Sequence, residues 1–174
     1  MKRFIILLTL TILILVLIIF TAKKEHIIFN TTSSFPLGLY KISSKEHYNK
    51  GELVSFCAMP SSTFTKMIEE GYTQPNPNCP NKTPQLLKKI VALEGDNISI
   101  KKNLFVNDTP IKNSTIFKKD HNGNLLYTQS SQKIKRGYFW AMSDYNEKSY
   151  DSRYFGQVPL SNIIGIATPI LTWE

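Results

Sequence analysis

Leu86-Leu87-Lys88-Lys89-Ile90-Val91-Ala92-Leu93-Glu94-Gly95-Asp96 is an apolar run broken by two adjacent lysines and closed by a Gly-Asp turn. Its length, apolar content and turn ending read as a strand. Adjacent strand residues point to opposite faces, so one of Lys88 and Lys89 faces inward among leucine and isoleucine. A lysine so placed must find a partner or lose its proton to desolvation. The competing reading is an edge strand with both lysines in water. This stretch alone does not separate the two.

Outward from this strand the chain keeps the same character. Leu53-Val54-Ser55-Phe56 follows a turn at Lys50-Gly51, and Asn97 to Lys101 alternates with Ile98 and Ile100 on one face. Leu104-Phe105-Val106 runs into the turn-like Asn107-Asp108, while Tyr138 to Met142 and Ile163 to Ile170 complete the strand set. One helix is predicted, at about Ser62 to Glu70, closed by Gly71. Residues 74–84 carry four prolines, which exclude regular structure there. The expectation is a mainly β, antiparallel domain with a short helix-containing insert.

The N-terminus is a different physical object. Phe4 to Phe20 contains no charge and only two threonines, Thr9 and Thr11. Extended through Ala22 it would run about 28 Å as a helix, close to the hydrocarbon thickness of a bilayer. A cleaved signal peptide has a shorter apolar core and small residues before the cut; Phe20 fits that poorly. An uncleaved transmembrane signal anchor over 1–22 is therefore the favoured reading. Lys2 and Arg3 precede the run and Lys23 and Lys24 follow it, so charge does not orient it.

The 174 residues predict one domain behind that anchor, over 23–174. With 42% hydrophobic and 11% aromatic residues, intrinsic disorder is excluded. Two cysteines make neither a disulfide-dense scaffold nor a four-thiolate zinc site. The formal charge of +8 suggests nucleic acid at first sight. Without Lys2 and Arg3, 19 basic residues face 13 acidic ones, scattered singly or in pairs, with no basic–aromatic track. A solvated basic surface near lipid headgroups is the better reading, with no nucleic-acid partner. His26, His47 and His121 have no ligand spacing, so no metal is implied.

Two further segments carry possible chemistry. In Asn30-Thr31-Thr32-Ser33-Ser34-Phe35-Pro36-Leu37-Gly38-Leu39-Tyr40, hydroxyls crowd ahead of a proline and a glycine that enforce a tight bend. A serine there can expose its oxygen beside backbone N–H groups; a polar linker leaving the membrane is the bland alternative. In Ser143 to Pro159, a polar, aromatic turn joins two strands, and Asp151 and Arg153 are placed to pair locally.

Together the three segments resemble the S26 family, the membrane-anchored signal peptidases with a Ser/Lys dyad. The order matches: apolar anchor, serine before proline, lysine-led strand ending in Gly-Asp, then Asp151-Ser152-Arg153-Tyr154-Phe155-Gly156. Ala92 and Glu94 depart from the family's usual Gly and Pro. The resemblance spans nearly the whole chain and is weakest from about 110 to 135. Ser34-Phe35-Pro36-Leu37-Gly38-Leu39-Tyr40 is most similar to the conjugative-transfer (TraF-type) branch, as are Phe56-Cys57, Glu70-Gly71-Tyr72 and a second cysteine ahead of the lysine strand.

The resemblance implies a serine endopeptidase with Ser34 as nucleophile and Lys88 as general base. Ser33, three residues before the proline, is the alternative nucleophile. Thr32 and the Ser34 N–H are the candidate oxyanion donors; Ser149 would orient Lys88, with Asp151 and Arg153 bracing that turn. No cofactor is implied. The implied partners are the bilayer and an exported precursor, typically a pilin or related transfer protein, which some members also circularise. The implied location is the bacterial inner membrane, single-pass, with the catalytic domain outside. Cys57 and Cys79 bracket the insert, about 57–84; an oxidising compartment favours a disulfide over free thiols, and such a closure is worth about 3 kcal/mol. A general signal peptidase I and a non-catalytic membrane-anchored assembly factor are the other functional readings.

Overall fold

The computed structural model describes residues 2–24 and 26–173, with side chains in the first helix described as far as Leu17. That helix, α1 (Lys2–Lys24), carries apolar side chains that are half or more exposed from Phe4 to Leu17. Among the described residues no helix is long and apolar enough to cross a membrane. The last side chains of the expected anchor, 18–22, lie outside the described ones.

The remaining elements are β1 (Ile27–Asn30), β2 (Leu37–Ser43), β3 (Leu53–Cys57), α2 (Ser62–Glu69), β4 (Gln85–Leu93), β5 (Asn97–Ile100), β6 (Asn103–Val106), β7 (Thr109–Thr115), β8 (Gln132–Lys133), β9 (Tyr138–Met142), α3 (Ser152–Phe155), β10 (Val158–Pro159) and β11 (Ile163–Trp173). Every strand pairing is antiparallel. One sheet has the order β1-β2-β11-β3-β4-β9-β10 and a second the order β7-β6-β5-β8. The mainly β expectation holds, and each strand predicted from the sequence has its counterpart. β1, β2, β8 and β10 have no counterpart among the predicted strands, and the division into two sheets was not predicted.

β9 shows how the core is built. Phe139 and Ala141 join Val54, Phe56 and Ile90 on one face, while Trp140 and Met142 join Ala92, Ile98 and Leu104 on the other. A strand covered on both faces needs a continuous apolar run, and Tyr-Phe-Trp-Ala-Met supplies one. β4 contributes to both clusters as well, with a register shift between Ile90 and Ala92 where it pairs β9. The shift marks a β-bulge, which turns the strand locally.

The insert is tied at both ends. Ser61 caps α2 by accepting from the Phe64 N–H at 3.2 Å, and Gly71 at φ 77° follows the helix. Phe64 is buried, with its ring against Tyr150 and Phe155. Cys57 and Cys79 form the expected disulfide, with 5.5 Å between Cα atoms. The proline-rich stretch is irregular except for a short 3-10 turn over Pro80–Lys82.

Candidate active site

Residues 31–36 link β1 to β2, and Asn30 organises them. Its Nδ2 donates to the carbonyls of Thr32, Phe35 and Pro36 at 3.0, 3.1 and 3.1 Å. Its Oδ1 accepts from the Thr32 N–H at 3.2 Å and the Thr32 hydroxyl at 3.0 Å. Tyr40, on β2, donates its hydroxyl to the Pro36 carbonyl at 2.8 Å. The bend read from Pro36 and Gly38 is thus a cage of side-chain bonds around a short loop, with Ser34 at its turn.

β4 brings Lys88 to this loop. The side chain is 3% exposed, and Nζ donates to Ser34 Oγ at 2.7 Å. Lys89 points the other way, half-buried and paired with Asp144 at 2.5 Å. The opposition of the two lysines follows from strand geometry. Burial pushes the Lys88 ammonium down to about 8; Asp151 opposes the shift and Arg153 adds to it. Leu87 packs with Phe35, Tyr40 and Ile42 in the apolar cluster nearest the loop.

The turn after β9 closes the site. Asp151 and Arg153 are fully buried and pair side-on, Nε to Oδ1 at 2.8 Å and Nη2 to Oδ2 at 2.9 Å. Arg153 also donates to the carbonyls of Thr115 at 2.6 Å and Ser149 at 2.9 Å, and Asp151 accepts from the Ser143 N–H at 3.3 Å. The pair therefore holds both ends of the 143–149 turn, and every nitrogen of the guanidinium and both oxygens of the carboxylate have a partner, as burial demands.

The sequence-predicted residues are only partly assembled as expected. Ser34, Lys88 and Ser149 come together, but the Ser149 hydroxyl lies 3.3 Å from Ser34 Oγ rather than on Lys88. The reason is that Arg153 fixes the Ser149 carbonyl and Lys88 Nζ is directed at Ser34. Ser33 is exposed, with its hydroxyl on Asn146 at 3.3 Å. Thr32 is exposed, and its hydroxyl hydrogen goes to Asn30. Asn30, Ser143 and Asn146 went unread, because a lone Asn or Ser in a polar loop carries no signal until the loop's partner is known. Among the described residues no group of three or more His, Cys, Asp or Glu is placed to hold a metal ion.

A groove of about 1230 Å³ runs from Ser34 and Lys88 between the insert and the 117–127 loop, past Phe64, Met67, Phe117 and Tyr150. Its volume exceeds the roughly 300–1,000 Å³ of small-molecule pockets, which suits a polypeptide.

Known proteins are similar to this chain. The chain is 35% identical over 147 residues to a plasmid transfer protein TraF of Escherichia coli, covering 83% of this chain and 82% of that one. It is 30% identical over 146 residues to a conjugal transfer protein TraF of Agrobacterium fabrum, with the same coverage. A thylakoidal processing peptidase of Arabidopsis thaliana is 31% identical over 80 residues, 45% of this chain and 22% of that one. The crystal structure of a signal peptidase I from Enterococcus faecalis aligns with 72% of this chain and 100% of its own at 19% identity, with a TM-score of 0.42. The family described as signal peptidase, peptidase S26, matches residues 1–173. This chain belongs to the S26 signal peptidases and is a serine peptidase of that type.

Proposed function

We propose that the protein is a membrane-anchored endopeptidase that trims exported precursors, a conjugative pilin or related transfer protein foremost, with Ser34 as nucleophile and Lys88 as general base. The observation that carries this reading is the 2.7 Å contact between Ser34 Oγ and a lysine buried to 3% exposure. A base must lie within hydrogen-bond reach of the proton it takes, and its pKa must lie near the working pH. Both conditions are met by Lys88.

In the forward step, the neutral Lys88 amine takes the Ser34 hydroxyl proton as Oγ bonds to the scissile carbonyl carbon. The carbonyl π electrons become an oxyanion, for which the Ser34 N–H is the donor. Collapse breaks the carbon–nitrogen bond, and the Lys88 ammonium returns its proton to the leaving amine. Water, activated by the same amine, then hydrolyses the acyl-serine. Ser149 shares the Ser34 oxygen and keeps it turned toward Lys88.

The TraF relatives favour the transfer substrate over general secretory precursors. Family membership removes the ground for a non-catalytic assembly factor. The anchor is supported by α1 itself, whose exposed apolar side chains need a cover other than water. With α1 across the bacterial inner membrane, residues 23–174 form the outer, periplasmic domain, where Cys57–Cys79 is chemically stable. Ser34 then works close to the membrane surface.

The test is co-expression of the full chain with a candidate pilin precursor, read by mass spectrometry of the product. Ser34→Ala and Lys88→Ala are each expected to lower cleavage about 10³-fold or more. Ser33→Ala should still cut. Full activity in Lys88→Ala would remove the dyad, and equal processing of many secretory precursors would favour the general peptidase.

A further inference from the structure

Two side chains of the turn after β9 reach the peptide groups on either side of Ser34, and the mechanism above does not use them. Asn146 Nδ2 donates to the Ser33 carbonyl at 3.1 Å and to Ser33 Oγ at 3.3 Å. Ser143 Oγ donates to the Ser34 carbonyl at 2.5 Å. The same oxygen accepts from the N–H groups of Tyr145 and Asn146 at 3.2 and 2.9 Å. Each peptide plane flanking the nucleophile is thus pinned by one side chain of a single turn, and Ser143 is itself fully buried. That turn is in turn held by the Asp151–Arg153 pair.

The Ser33–Ser34 peptide is trans, as is every peptide bond of the described backbone. In a trans peptide the C=O and the N–H point in opposite directions. Holding the Ser33 oxygen therefore sets the direction of the Ser34 N–H. Among the described residues that N–H donates to nothing. A free donor on an immobilised plane is what a developing oxyanion requires, since it stabilises charge without reorganising. The carboxamide suits the task, because it donates a hydrogen bond and brings no charge near Lys88.

We infer that Asn146 is a positioning residue for acyl transfer: seated on Ser143, it holds the Ser33–Ser34 peptide plane so that the Ser34 N–H meets the oxyanion formed on the scissile carbonyl. The inference rests on Ser34 being the nucleophile.

The experiment uses the purified full chain in detergent and a fluorogenic peptide spanning the cleavage site mapped in the pilin precursor. Asn146→Ala is expected to lower kcat about 10- to 100-fold with KM unchanged, because the lost alignment matters only in the transition state. Its pH profile and unfolding temperature should match wild type, since neither Lys88 nor the core is touched. Asn146→Asp has the same size and lacks the donor, so it should be at least as slow as Asn146→Ala. A space-filling role predicts the reverse order. Ser143→Ala should lower kcat in the same way if it folds. The inference is overturned if Asn146→Asp outperforms Asn146→Ala, if kcat stays within threefold of wild type, or if only KM changes. Ser34→Ala in the same assay separates the two ideas. Were it active, the dyad reading fails; were it dead beside a fully active Asn146→Asp, only the role of Asn146 fails.

Discussion

Lys88 sits in the fold as a liability that the proposed chemistry requires. An exposed lysine keeps its proton to about pH 10.5, whereas burial brings this one to about 8. Between those values the unfolded chain binds a proton that the folded chain has released, so stability rises with pH across that window. Below pH 8 the burial costs about 3 kcal/mol in full, and by pH 10.5 the cost has gone. Lys88→Met keeps the length and removes the charge. Thermal unfolding of the full chain should show this variant more stable than wild type by about 3 kcal/mol at pH 7, with the gap closing toward pH 10. Activity runs the same window from the other side: the neutral base is a minor form at pH 7, so kcat/KM should climb with an apparent pKa near 8 and level above it. A profile flat from pH 6 to 9 would show that Lys88 is not the group titrating.

At the scale of elements, β2 leaves no room for a side chain where Gly38 faces β11. Gly38 lies at φ 140°, and a Cβ there would come within 2.1 Å of the Leu171 carbonyl oxygen, beside the register shift between Pro169 and Leu171. Gly38→Ala must push the two strands apart and hold a strained backbone, at about 3 kcal/mol. Because Gly38 pairs with Asn30 across β1, the disturbance reaches the residue that cages Ser34. The variant should lose activity beyond its loss in denaturant midpoint; full activity would show that the loop tolerates the shift. Here too lies the limit of what residues disclose alone. Strand period made the opposition of Lys88 and Lys89 legible, and Asp151-Ser152-Arg153 announced its own pair. β1 and β2 stayed hidden because one is four residues long and the other opens on Leu-Gly after a proline, a turn signal by composition. The Ser-x-Pro spacing favoured Ser34 over Ser33 by resemblance alone, because which of two adjacent hydroxyls faces β4 is decided by the folded loop. Asn146 and Ser143 act across more than a hundred residues, which no local pattern encodes.

Across the whole molecule, the proposed dyad spans four neighbouring strands. Ser34 precedes β2 and Lys88 rides on β4, while β11 and β3 lie between them in the sheet. Among the described residues β11 follows every other strand yet occupies an interior place, with β2 on one side and β3 on the other. A chain ending at residue 162 should therefore leave β1 and β2 unattached and be cut rapidly there by an added protease, where the full chain resists. Such long-range pairing is slow to form because the loop entropy is spent before the contacts repay it. The order of strands thus acts as a timer. Until β11 pairs on both sides, Ser34 and Lys88 belong to separate pieces of unfinished sheet. On the proposed function, a partly folded chain therefore has no means to cut, and the capacity arrives only with the last pairing.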